Sequence, residues 1–270
     1  MRRARSETFL TQRYRDDALV RGPESLVIEE PMSIELDGVL VATTMRTPGH
    51  DFELAVGYCH GEGLLAGAAV RQVKYCATGS AIESEFNVVT VDTGGRAPTP
   101  TPRLTPTTSS CGLCGAVSIE ALRERLPLVT ASPFPLDVLA GSPDRVRKEQ
   151  RLFDETGAVH AAAAIDRDGT PLVVREDIGR HNAVDKVVGR LLLDGALPAS
   201  ALALFVSGRA SFEMVQKAWA AGFAAVVAVS APSALAVETA RTGGVLLAGF
   251  ARDGRMTIYA PERCTTLEEV

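Results

Sequence analysis

The sequence predicts an α/β protein, α+β overall, on three observations. From about residue 159 onward, short apolar runs alternate with segments of helical spacing. The runs are continuous rather than alternating, as in Leu202-Ala203-Leu204-Phe205-Val206 and Ala225-Val226-Val227-Ala228-Val229, which marks strands buried on both faces of a parallel or mixed sheet. Before residue 92 the text is mixed strand and helix, and a Pro/Thr-rich stretch then separates it from the rest. The predicted division is a polar N-terminal arm (1–20), an N-terminal α+β domain (21–138) with its linker and Cys-x-x-Cys loop at 92–115, and an α/β domain (139–270).

Each element has a local reason. Residues 1–20 are polar and charged, so they read as an arm or a frayed end. Between Ser25 and Met45 two strands flank Asp37-Gly38, a hairpin turn signal. Residues 51–65 read as a helix with Asp51 as N-cap. Residues 70–91 read as further strands. The stretch 92–110 holds Gly94-Gly95, Pro98, Pro100, Pro102 and Pro106 among threonines and cannot build a core. A helical pattern over 117–126 stops at Pro127. Ser142-Pro143 announces the next helix, with Ser142 as N-cap and Pro143 at its first position, running to about 155. Residues 159–166 and 172–175 pair across Asp168-Gly169. Helices over 182–193, 211–221 and 233–242 then alternate with strands over 202–206 and 225–229, and a hairpin at Asp253-Gly254 joins 245–251 to 256–259.

Composition excludes several classes. The chain has 270 residues, 46% hydrophobic and 23% charged, with 28 Lys+Arg against 33 Asp+Glu. A mildly acidic balance argues against a nucleic-acid coat. The basic start, Met1 to Arg5, has no apolar region behind it, so it is no export signal, and no apolar run is long enough to cross a bilayer. The expectation is a cytoplasmic protein with no membrane partner. Five cysteines in such a chain predict free thiols, not a disulfide framework. Cys59 and Cys76 sit in core-like text and read as buried and inert, and Cys264 as incidental.

Two places carry candidate chemistry. Cys111-Gly112-Leu113-Cys114 brings two thiols within reach of each other before a predicted helix start, where the helix dipole favours thiolate. Thiolate is the form that attacks a persulfide or disulfide sulfur. The spacing alone also fits an incidental pair. Zinc would need about four ligands, and no second Cys-x-x-Cys supplies them, so no metal site is expected. The second place is the carboxyl edge of the predicted sheet, where α/β proteins bind ligands. Three strand ends converge there: Gly179-Arg180-His181-Asn182, Ser207-Gly208-Arg209, and the loop from Ser230. Helix N-termini and the arginines suit phosphate. The segment Phe250-Ala251-Arg252-Asp253-Gly254-Arg255 adds two more arginines and an acid. Any one of these loops alone is better read as caps and turns; it is their convergence on one edge that points to a ligand site. His181 and Asp185, at i, i+4, share one helix face, as a ligand contact or as a histidine held by an aspartate.

These residues carry a family resemblance. Glu176-Asp177-Ile178-Gly179-Arg180-His181-Asn182-Ala183-Val184-Asp185-Lys186, with Ser207-Gly208-Arg209 and Met214-Val215-Gln216-Lys217-Ala218, resembles the formate dehydrogenase accessory sulfurtransferase family (FdhD). So do Glu30-Pro31-Met32-Ser33-Ile34, Met45-Arg46-Thr47-Pro48-Gly49 and Glu53-Leu54-Ala55-Val56-Gly57-Tyr58. The match covers nearly all of 25–262. The resemblance implies a C-terminal three-layer domain of cytidine-deaminase-like fold and a homodimer. It implies transfer of persulfide sulfur from a cysteine desulfurase to the bis-guanine-dinucleotide molybdenum (or tungsten) cofactor, which is bound as a substrate and destined for formate dehydrogenase. The persulfide maps onto Cys111 with Cys114 assisting, and 250–255 onto the cofactor-contact stretch. Ala158 and Cys59-His60 depart from the family pattern. A zinc deaminase would need His-x-Glu before Pro-Cys-x-x-Cys, whereas His160 is followed by Ala161-Ala162 and the cysteines precede it. A thiol–disulfide oxidoreductase and a non-catalytic cofactor chaperone stay open as alternatives.

Overall fold

A computed structural model describes residues 3–76, 80–82, 84–100 and 119–260. The chain opens with a long hairpin, β1 (Ser6–Arg15) and β2 (Ala18–Val27), paired over its whole length. The turn is Asp16-Asp17, both left-handed (φ 50° and 59°), a conformation aspartate tolerates. The segment expected as a polar arm is thus half of a hairpin. Neither of its faces is buried, so nothing imposes the period-2 alternation that would mark it in the sequence. Its base is tied to both halves of the molecule. Arg3 pairs with Glu30 at 2.6 Å, Arg5 donates to the Glu176 carbonyl at 3.1 Å, and Ser6 bonds Glu155.

Next come β3 (Glu30–Leu36) and β4 (Val39–Arg46), turning at Asp37-Gly38 as the sequence predicts (φ 48° and 85°). With β5 (Gln72–Tyr75) and β6 (Val88–Asp92) they form a sheet of order β4-β3-β6-β5. Helix α1 (Asp51–Gly61) closes its core over Met32, Ile34, Leu36, Leu54, Val56 and Val91. The N-cap is His50, left-handed at φ 57°, not Asp51. The Asp51 carboxylate is engaged instead by the Gly49 N–H and by the fully buried Arg46 guanidinium.

The second half starts with α2 (Ile119–Arg125), α3 (Leu136–Arg147) and α4 (Arg151–Thr156). Here the structure corrects the sequence reading. Helix α3 begins well before Ser142, and Pro143 lies inside it. Proline removes the N–H that would reach the Leu139 carbonyl one turn back, and the Ser142 hydroxyl donates to that carbonyl instead, at 2.7 Å. There follow β7 (His160–Ile165), β8 (Pro171–Asp177), α5 (Arg180–Leu193), β9 (Ala203–Val206), α6 (Phe212–Ala220), β10 (Ala225–Ala228), α7 (Ala234–Gly243), β11 (Leu246–Arg252) and β12 (Arg255–Ala260). The sheet order is β12-β11-β10-β9-β7-β8. Strands β8 to β11 run parallel to one another, while β7 and β12 run against them.

Each central strand splits its residues between two cores. Leu204, Val206, Val226 and Leu247 face α5, α6 and α7; Phe205, Val227, Leu246 and Ala248 face α3. This is the expected three-layer domain. The two halves meet where α1 crosses α5. A Cβ on Gly57 would run into the Asp185 carbonyl, and one on Gly189 into that of Glu53, so both positions need glycine for the helices to approach.

Candidate functional site at the carboxyl edge of the sheet

Backbone bonds stitch the loops after β9 and β10 and the end of β11 side by side. Ser230 N–H donates to the Gly208 carbonyl at 3.4 Å, and Phe250 N–H to that of Ser230 at 3.3 Å. Gly208, Ser230 and Phe250 therefore form one line. Arg180 joins it, since a Cβ on Gly208 would sit 3.9 Å from its Cδ. Arg209 stands exposed beyond, and Arg252, Asp253, Gly254 and Arg255 form the exposed tip of the β11–β12 hairpin. Phe250 is 45% exposed and left-handed at φ 52°, an unusual backbone for an aromatic residue. Ala251 is fully buried, so only its backbone belongs to the edge.

The stretch 176–186 divides its labour. The Glu176 carboxylate caps α4, accepting from Leu152 and Phe153 N–H at 3.0 and 2.8 Å. Asp177 accepts from Thr47 N–H (3.1 Å), Gly179 N–H (2.8 Å), Asn182 Nδ2 (3.0 Å) and Lys186 Nζ (2.6 Å). Lys186 also donates to the Thr47 carbonyl at 2.9 Å; burial pushes its pKa down, against the pull of Asp177. Asn182 is buried, donating to the Met45 carbonyl and accepting from Thr44. Its amide faces the junction with the N-terminal sheet, not the edge where the sequence reading put it. Gly179, Arg180 and His181 remain at the α5 N-terminus; among the described residues it has no side-chain cap, and Arg180 Nε is buried without a hydrogen-bond partner.

Of the two readings the sequence leaves open for His181 and Asp185, a mutual pair is not seen among the described residues. Asp185 meets Lys217 at 2.8 Å, with Glu62 at 3.5 Å from the same Nζ, and His181 lies 3.9 Å from Glu213. Burial lifts Asp185 to about 6 despite Lys217. Cys59 is fully buried beside this cluster, and burial pushes its thiol up to about 12, which makes it inert as expected. Cys76 is half-buried rather than core. Cys111, Cys114 and Cys264 lie outside the described residues.

The sequence reading missed a cavity of about 550 Å³ opening at the same edge. Its walls include Arg147, Gln150, Phe153, His160, Ile178 and Ser207. Arg147 stacks 4.9 Å over the Phe153 ring and pairs with Asp154 at 2.5 Å. The available signal was a histidine heading a strand; it became a site residue only because β7 runs antiparallel and brings its beginning to this edge.

The sequence profile of the FdhD/NarQ family matches residues 27–265. The chain belongs to the FdhD/NarQ family. Among FdhD relatives, the sulfur carrier protein FdhD of Streptomyces coelicolor is 49% identical over 258 residues, covering 92% of this chain and 91% of its own. That of Mycobacterium tuberculosis is 43% identical, covering 90% and 92%. A crystal structure of a candidate formate dehydrogenase accessory protein from Desulfotalea psychrophila shares the fold, with a TM-score of 0.78 over 97% of this chain and 100% of that one, at 24% identity. In this FdhD/NarQ chain no helix of the described residues is long and apolar enough to cross a membrane.

Proposed function

We propose that this chain is a sulfur carrier acting in formate dehydrogenase maturation, and that it works as a cytoplasmic homodimer. The Cys111 thiolate attacks the terminal sulfur of a cysteine desulfurase persulfide. The donor's S–S bond breaks and its cysteine leaves as thiolate, while a new S–S bond forms on Cys111, with no net change in redox state. Cys114 assists. Its thiolate then attacks Cys111 Sγ, so the persulfide S–S bond breaks, a Cys111–Cys114 disulfide forms and supplies the two electrons, and the outer sulfur leaves at the sulfide level for the bis-guanine-dinucleotide molybdenum cofactor, the substrate bound at the carboxyl edge. Arg180, Arg209, Arg252 and Arg255 supply charge for its diphosphates, the uncapped α5 N-terminus supplies N–H groups, and exposed Phe250 offers a stacking face.

The observation that carries the reading is the 49% identity, over nearly the whole chain, to a protein named sulfur carrier, in a sequence that holds Cys111 and Cys114. The edge geometry supports the cofactor site.

The test is intact-protein mass spectrometry after incubation with a cysteine desulfurase and cysteine. Wild type should gain one sulfur atom that reductant removes, and Cys111→Ala should not. Loss of two hydrogens with no sulfur gained would instead mean an internal Cys111–Cys114 disulfide and an oxidoreductase. Full activation of formate dehydrogenase by a Cys111→Ala/Cys114→Ala variant would mean a chaperone that carries no sulfur.

A further inference from the structure

His160 stands where the cavity meets the basic rim. Its Nδ1 is 3.5 Å from the Ser207 hydroxyl. That hydroxyl oxygen already accepts the Ala161 N–H at 2.9 Å, so its own proton is free for Nδ1. With Ser207 donating to Nδ1, the imidazole carries its proton on Nε2. Gly208 lies between His160 and Arg180; a Cβ there would be 3.5 Å from the imidazole and 3.9 Å from Arg180 Cδ. Arg180 Nε is a buried donor with no hydrogen-bond partner among the described residues.

The charged surroundings favour an anion. Arg180 and His181 face His160 from α5, with Asp177 at the end of β8 opposing them. From α3 and the segment leading into α4, Asp144, Arg147 and Gln150 line the shared cavity. Burial first, then Arg180 and His181, push the imidazole's pKa down.

We propose that His160 is a ligand-contacting residue of this edge, offering its Nε2–H to an anionic diphosphate seated against Arg180 and taking up a proton from solvent as that anion binds. The inference rests on the reading of the edge as a diphosphate-bearing cofactor site. Negative charge beside Arg180 offsets the part of the downward push that comes from the neighbouring cations, so binding and protonation are linked. The linkage has a definite sign. Binding tightens as pH falls through the bound-state pKa, and the gain stops below the pKa of the empty site.

The experiment is isothermal titration calorimetry of the full chain with P1,P2-di(guanosine-5′) diphosphate, whose diphosphate diester does not titrate near neutral pH. Buffers of different ionisation enthalpy report protons taken up. For wild type we expect proton uptake and affinity rising about tenfold from about pH 8 to about pH 5, a pKa shift of about one unit. His160→Gln keeps a donor near the Nε2 position; it should bind within a few-fold of wild type at high pH and lose both effects. Imidazole 1H–15N spectra, assigned with the same variant, should show Nδ1 unprotonated in the free protein and the His160 midpoint moving up with ligand. Ser207→Ala should mix the tautomers. Tight binding with no proton uptake, or equal uptake in His160→Gln, overturns this inference and leaves the cofactor site standing. No binding by either protein overturns the reading of the edge, and this inference with it.

Discussion

Pro143 inside α3 is tolerated because one neighbouring hydroxyl replaces the donor it lacks. Ser142 is fully buried, so Ser142→Ala leaves the Leu139 carbonyl without its 2.7 Å bond and with no water to take over. The expected loss is about 1–2 kcal/mol, read from urea denaturation, with Ser142→Thr near wild type. A second residue-scale prediction concerns Glu53. Burial raises its pKa, but the hydrogen bonds from Arg175 at 2.5 and 2.8 Å, with His50 beside them, outweigh that and hold it at about 2, below its ordinary 4.5. A depressed carboxylate stabilises the fold above its unfolded pKa and loses that contribution as pH falls through the folded one. Wild-type stability should therefore drop as pH falls from about 4.5 toward about 2, and Glu53→Gln should make that drop shallower, Glu213 and Asp37 keeping their own share of it.

Helices α1 and α5 touch backbone to backbone at Gly57 and Gly189. Gly189→Ala drives a methyl into the Glu53 carbonyl, and neither helix has room to retreat from its own sheet. Destabilisation of about 3 kcal/mol is expected in chemical denaturation, the upper range for overpacking. A value near zero would mean that the helices slide apart freely. At this scale the sequence is uneven. The strands β9 and β10 are legible because burial on both faces writes them as unbroken apolar runs, and Asp37-Gly38 gives away its hairpin. The β1–β2 hairpin is not legible, because both its faces are open to water. Helix α3 is misplaced because Pro143 reads as a start until Ser142 is seen bonding backwards. The loops of the candidate site follow from the rule that parallel strands end at one edge. His160 does not, because the direction of β7 is a property of the assembled sheet.

The whole molecule is tied across its two halves. Asp177 and Lys186 grip Thr47, Asn182 grips Met45, and α1 lies on α5. The single tryptophan, Trp219, is buried on α6 in the second half, so it reports on that half alone. If the halves are one cooperative unit, Trp219 fluorescence and far-UV circular dichroism should give coincident urea transitions. Separate midpoints would mean that residues 139–270 fold independently of the N-terminal sheet.

Glu176 and Asp177 are neighbours on β8, and successive strand residues point to opposite faces. One carboxylate holds the first turn of α4, a wall of the cavity; the next holds the Thr47 segment and the start of α5. A slip of β8 by one position would put Asp177 at the Glu176 anchor and Ile178 at the Asp177 anchor, or, in the other direction, Arg175 and Glu176. Either way one anchor keeps a carboxylate of the wrong length and the other loses its carboxylate altogether. The strand therefore keys the cavity wall and the arginine-bearing helix to a single register, so neither half of the ligand edge can be set without setting the other.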